Sequence, residues 1–299
     1  MREFYLAIVL SDGRVLHNPF AKSHKELLEW SGENGEHLKV RFTPQNDDRL
    51  DKLEKYTLLI EQNEIPDWFD DAMKEAVIFE LTTTIQKMIV KNRRKLVLNE
   101  GIILTENASI TTVKNARIFG MYDDSKVQSL FGGSEIIMMT DKSLVNEMNS
   151  NTYIAEMLAQ SRVTTLLGNA RVGKMYGRSK IVKMRGNSRV DYLKGHSGIQ
   201  TMTEEAFAYS LRHMCLVDEM HGDSVIDEMW DWAVVGAMYD NAFINFMDDD
   251  AKVKVMYGNA TVNEMFGNSI IEELHEESTV KKLNELAKIL NKRISQSKK

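Results

Sequence analysis

The chain has 299 residues, with 44 acidic against 38 basic side chains and a formal net charge of −6. A single cysteine, Cys215, excludes an internal disulfide and a cysteine zinc cluster. There is no apolar run of about 18 residues to cross a membrane as a helix, and no signal-peptide cleavage pattern succeeds the opening segment, so the expected location is the cytoplasm.

Residues 1–106 read as a small α+β domain and N-terminal cap. Glu3–Leu10 alternates towards an apolar strand, Ser11-Asp12-Gly13-Arg14 is a turn, and Val15-Leu16 resumes the strand. Ser23 with Glu26 forms a capping box ahead of Leu27, Leu28 and Trp30 at helical spacing. His37–Phe42 and Tyr56–Glu61 read as strands. Pro66-Asp67 opens a predicted helix with Trp68, Met73, Ala76, Val77 and Leu81 on its inner side, running to about Ile89. The basic run Lys91–Lys95 reads as a hinge, and Leu96–Ile103 as the lead into the next region.

From Asn115 to Glu285 one nine-residue phrase recurs nineteen times without insertion or deletion. Its second position is always small (Ala116, Ser125, Ser134 and onward to Ser278). Its fourth is Ile or Val in every copy but one, Ala208, and its seventh is Met thirteen times and Leu six times. An earlier copy, Ala108-Ile110-Val113, sits one residue out of register. Nine residues are two and a half helical turns, so an apolar stripe would jump to the opposite side of a helix at each copy. Small-x-branched is a strand pattern instead, because alternate residues of a pleated strand point the same way. The ninth and first positions pair as Gly-Asn, Asp-Asp, Gly-Gly or Asp-Asn, residues that accept positive φ and mark a corner. A unit that cannot bury its own apolar side must stack on its neighbours. The expected fold class is therefore mainly β: a parallel β-solenoid of nine-residue repeats, about two repeats per coil, over residues 107–283, with three repeats per coil as the second choice. No proline occurs after Pro66, in keeping with ladder donors that are all needed. Thirteen of the 18 methionines at one repeat position read as core filler; a metal-binding methionine array lacks interleaved His or Cys ligands. Val280–Ile294 carries Leu283, Leu286, Ala287, Leu290 and Ile294 at helical spacing, so residues 284–299 are predicted to form a capping helix and tail.

Catalytic motifs are missing from the sequence: it has no GxSxG, HExxH, P-loop or GxGxxG. No catalytic residue, cofactor or metal is assigned, and the expectation is a protein that is not an enzyme. The calcium β-roll nonapeptide shares the period but has systematic Gly and Asp that this chain lacks. Two outward patterns remain. Arg162, Arg171, Lys174, Lys180, Lys183 and Arg189 belong to a basic band over 162–194 that could meet phosphate or another anion, or simply be a solvated surface. From Glu204 to Asp250 twelve acids face one base, Arg212, so the basic band of one copy could also meet the acidic band of another. Within the acidic stretch the third repeat position turns apolar in five successive copies: Phe207, Leu216, Val225, Val234 and Phe243, with Trp230 and Tyr239 nearby. An outward apolar row is an interface pattern; local packing would be the plainer explanation. With two repeats per coil, Phe207, Val225 and Phe243 share one side, Leu216 and Val234 the other.

Strings such as GNSRVDYLKG and YGNATVNEMFGNS, across about 107–285, resemble the nonapeptide-repeat β-solenoid proteins of phages and mobile elements. That resemblance implies architecture and a phage or prophage origin, and transfers no activity. The N-terminal domain matches no family pattern. The expected function is a non-enzymatic binding protein whose rigid surface self-associates, as a homodimer, and holds a protein partner, for a phage protein by interfering with a host defence system. Alternatives are a structural virion component, such as a spike or decoration, and nucleic-acid binding through the basic band. No membrane partner is expected.

Overall fold

The structure is a computed structural model that describes residues 4–45, 49–275, 277–284 and 286–293. The chain divides into two compact units, Met1–Val90 with Gly101–Ile103, and Lys91–Glu100 with Leu104–Lys299.

In the first unit, β1 (Leu6–Leu10), β2 (Val15–His17), β3 (His37–Pro44) and β4 (Tyr56–Ile60) form an antiparallel sheet in the order β2-β1-β3-β4. The central β1 is buried throughout, and Leu6, Ile8, Leu10 and Leu27 make its core. Helix α1 (His24–Ser31) starts at the capping box: Glu26 donates its backbone N–H to Ser23 Oγ at 3.2 Å, and the Glu26 carboxylate accepts the Lys22 N–H at 2.6 Å. Helix α2 (Asp71–Met88) begins later than Pro66-Asp67 suggests, because the Asp70 carboxylate caps the Met73 N–H at 2.8 Å. Its buried stripe is Val77, Leu81, Ile85 and Met88, with Ala76 exposed and Trp68 before the helix.

The second unit is a parallel β-solenoid. Sheet I contains 12 strands, from Arg93–Leu98 to Lys288–Arg293. Sheet II alternates with it along the chain and includes the strands from Arg117–Met121 to Thr279–Leu283. At the usual ladder spacing sheet I extends about 50 Å. Ile118 pairs with Ile136, Val172 with Val190 and Met247 with Met265, so from Ile118 onward each strand lies on the one 18 residues later. Side chains therefore stack like on like. Val163, Val172, Ile181 and Val190 are fully buried, as are Met175, Met184 and Leu193 and the small residues Ser161, Ala170, Ser179 and Ser188. Each buried Ile or Met contributes about 1.5–3 kcal/mol relative to exposure.

Every corner residue from Asp123 to Gly267 at the ninth repeat position has positive φ, between 53 and 75°. Aspartate serves there as well as glycine because its carboxylate reaches along the axis: Asp231 accepts the His213 N–H at 2.8 Å, Asp240 the Gly222 N–H at 3.0 Å and Asp141 the Asp123 N–H at 3.0 Å. At several of the corner glycines the preceding coil comes close. A Cβ on Gly177 would lie 3.1 Å from the Ala159 nitrogen.

Both ends depart from the expectation. The basic run read as a hinge is largely strand: Arg93–Leu98 pairs in parallel with Ser109–Lys114, so solenoid pairing starts well before residue 107. The expected C-terminal helix is absent among the described residues; Thr279–Leu283 and Lys288–Arg293 extend the two sheets instead. The preceding coil presents open N–H and C=O groups, and Ala287 and Ile289 repeat the small-x-branched phrase, so the ladder outcompetes an isolated helix. Ala287 is buried while Leu283, Leu286 and Leu290 are exposed, the reverse of one helical stripe. Ile294 lies outside the described residues.

Candidate interaction surface

The two sheets give the solenoid two outer faces, and the third, fifth and sixth repeat positions form columns on each. On sheet II, Phe207 stacks on Val225 and Val225 on Phe243; on sheet I, Leu216 stacks on Val234. The apolar row read from sequence is thus split between two faces, as two repeats per coil require.

Sheet II uses its aromatic side chains internally. The Arg189 guanidinium lies 4.7 Å from the Phe207 ring centroid, and Lys281 5.7 Å from that of Phe243. Trp230 packs on Phe246 at 5.0 Å under Arg212, and its Nε1–H donates to Glu228 at 3.0 Å. Tyr239, at a corner, stacks between His221 at 4.6 Å and Tyr257 at 5.3 Å. Neighbours along the axis cover ring faces of Trp230 and Tyr239, so these rings stiffen the solenoid more than they offer contact area. A shallow depression on sheet II gathers Arg171, Arg189, Asp191, Tyr192, Phe207 and Tyr209. Arg171 donates to Asp191 through Nε and Nη2, at 3.0 and 2.7 Å, which holds the guanidinium above its ordinary pKa. The nearby charge of Glu228 raises the Tyr209 hydroxyl. Lys174 sits 4.0 Å from Glu156. The sheet II members of the basic band are therefore largely neutralised or capped.

Sheet I is different. Arg162, Lys180 and Lys183 are exposed on it, and among the described residues none has a carboxylate in ion-pair reach. Beside them, Gly198 interrupts the third-position column between Lys180 and Leu216 and leaves a notch lined by Arg178, Lys180, His196, Leu216 and Asp218. The next coils carry exposed apolar side chains: Met214 at 56 %, Leu216 at 41 % and Trp232 at 59 %, with Val234 half-buried between them. Met214 and Trp232 are missing from the row read in the sequence because they occupy the first repeat position, a corner. The signal was available: Lys142, Asn151, Gln160, Asn169, Arg178, Asn187 and His196 make that position polar in the copies before.

Cys215 lies under this patch but is not part of it. Its side chain is fully buried in the small-residue column, Sγ lies 2.9 Å from the Arg212 carbonyl, and burial pushes the thiol pKa up. Among the described residues no group of three or more His, Cys, Asp or Glu is placed to hold a metal ion, and no helix is long and apolar enough to cross a membrane. No family model, curated protein or solved structure matches the chain.

Proposed function

We propose that this protein is a non-enzymatic binding scaffold that uses a rigid solenoid face for self-association and for a protein partner, in the manner expected of the phage or mobile-element repeat proteins it resembles. One observation carries the reading: the exposed side chains of Met214, Leu216 and Trp232 form a contiguous apolar patch with the half-buried Val234, rimmed by the cations Arg178 and Lys180 and by His196. Apolar centre, aromatic anchor and charged rim are the parts of a protein-recognition surface. Parallel ladders on every coil hold the side chains in place before binding, which lowers the entropy lost on association.

The test is a double variant, Leu216→Lys with Trp232→Ala. Both side chains point outward, so the far-UV circular dichroism stays that of the parent. Self-association measured by light scattering, and capture of protein ligands by the immobilised chain, weaken about 30-fold or more for each anchor lost. A parent that neither self-associates nor captures protein, or a variant equal to the parent in both, refutes the reading.

The unpaired Arg162, Lys180 and Lys183 favour a second reading, binding of nucleic-acid phosphate on sheet I. Reversing all three to Glu then abolishes a mobility shift of DNA or RNA oligonucleotides at low salt, and the parent's affinity falls steeply as salt is raised. A parent with no salt-sensitive binding ends this alternative.

A further inference from the structure

The Leu216 side chain and the Gly198 notch are a projection and a recess in one column, one coil apart. A two-fold axis that lies over sheet I, parallel to its strands and midway between these two coils, maps each onto the other: Leu216 of either copy falls on Gly198 of its mate. Self-complementarity of this kind is what an isologous contact needs, since residue i must meet j while j meets i. We infer that the chain forms an antiparallel two-fold dimer through sheet I, with each Leu216 seated in the other copy's Gly198 notch. The dimer rests on the binding function proposed for this face and names a second copy of this chain as the occupant.

Because sheet I is in strict register, that axis fixes every other contact. Lys180 meets Val234 and its alkyl stem packs on the isopropyl group, leaving the ammonium at the rim. Val182 meets Gly236, and Lys183 meets Ala237, so large side chains on one copy face small ones on the other. Arg178 meets Trp232, an exposed cation opposite an exposed indole. Lys183 falls one coil from Glu219 of the mate, about 4.8 Å along the axis, so the basic coils lie beside acidic ones. At the flanks Leu144 meets Ile270. Arg162 meets Lys252, which stands 2.9 Å from Glu272, so a neutral ion pair rather than a bare cation faces the guanidinium. From Leu144 to Ile270 the face covers about 34 Å by about 20 Å, or about 670 Å² per copy, within the roughly 600–1,000 Å² per partner of a specific interface. Phosphate is the poorer occupant of the same face: the centre is apolar, and Asp218 and Glu219 would repel it.

The experiment is sedimentation equilibrium of the full chain from about 1 to about 100 μM, a range that brackets the dissociation constants of weak and moderate dimers. The parent sediments as a dimer. Val234→Lys sets an ammonium against Lys180 of the mate, twice per dimer, and raises the dimer dissociation constant at least about tenfold. Adding Lys180→Glu to that variant restores parental association, because the two charges now attract. Circular dichroism shows that all three chains remain folded. A monomeric parent at every concentration overturns the dimer, and leaves the binding reading to the capture assay with Leu216→Lys and Trp232→Ala. A dimer that ignores Val234→Lys, or is not restored by Lys180→Glu, places self-association on another face and overturns this geometry.

Discussion

Val172→Asp is expected to lower the melting temperature of the solenoid by about 10–20 °C, whereas Val225→Asp, the same chemical change at an outward position, leaves it near that of the parent. Val172 is fully buried at the fourth repeat position and stacked between Ile154 and Val190. Val225 is a third-position residue, half-exposed between Phe207 and Phe243. The interior substitution removes about 2 kcal/mol of apolar burial and leaves a carboxyl group with neither water nor a cation, at a cost of several kcal/mol more. A solenoid coil is stabilised by the coils on either side, so the loss spreads to both interfaces. A deficit of about 5 kcal/mol lowers the melting temperature by about 10–20 °C in a unit of this size. The pH dependence has a definite sign. Burial raises the new group's folded pKa above its unfolded value, so the variant recovers part of its stability as pH falls towards about 4 and loses it as pH rises. Thermal melts followed by circular dichroism at about pH 4 and pH 7, on either side of that titration, check both claims; equal melting temperatures for the two variants would mean that the fourth position is not interior.

The interior was legible because its constraint is local. Within nine residues the chain must place a small residue in a narrow column, a branched residue on the pleat and a long flexible one across the width, and each choice is written in the residue types of Ser179, Ile181 and Met184. The outer faces were less legible because their contacts join residues 18 apart. Trp230 and Tyr239 have the composition of an interface, and the structure covers their rings with Phe246, His221 and Tyr257. Arg171 and Arg162 look alike in the sequence, but a carboxylate from the neighbouring coil binds only the first among the described residues. Gly198 gave no signal of its own, since a glycine at an outward position becomes a notch only when Lys180 and Leu216 are known to flank it. The C-terminal segment shows the limit of periodicity in short stretches. Leu283, Leu286, Ala287 and Leu290 satisfy a helical stripe, while Ala287 and Ile289 satisfy the repeat, and the open edge of the coil beneath decides between them.

Deletion of one residue should be tolerated or damaging according to which residue then falls in the small column, even within a single corner. The chain already contains a shortened corner. Val113 and Ile118, both fully buried, are separated by one residue fewer than Met184 and Val190, and Ile110 accordingly pairs with Val127 rather than with a residue 18 away. Asn115 takes the left-handed corner conformation at φ 50° and Ala116 comes directly after it into the interior. Removing Asn187 recreates that arrangement: Gly186, at φ 63°, would be succeeded at once by Ser188, which keeps its buried slot. Removing Arg189, two positions later, shortens the same corner by the same amount. With Val190 held in the interior, Ser188 shifts outward and Asn187 enters a column otherwise occupied by Ala, Ser, Thr or Cys. An asparagine there adds overpacking of about 1–3 kcal/mol and a buried amide without partners at about 1–3 kcal/mol. The Asn187 deletion is therefore expected to melt within about 4 °C of the parent and the Arg189 deletion about 5–20 °C below it. Two melts distinguish the outcomes, and a reversal of their order would mean that corners in this solenoid do not absorb changes in length.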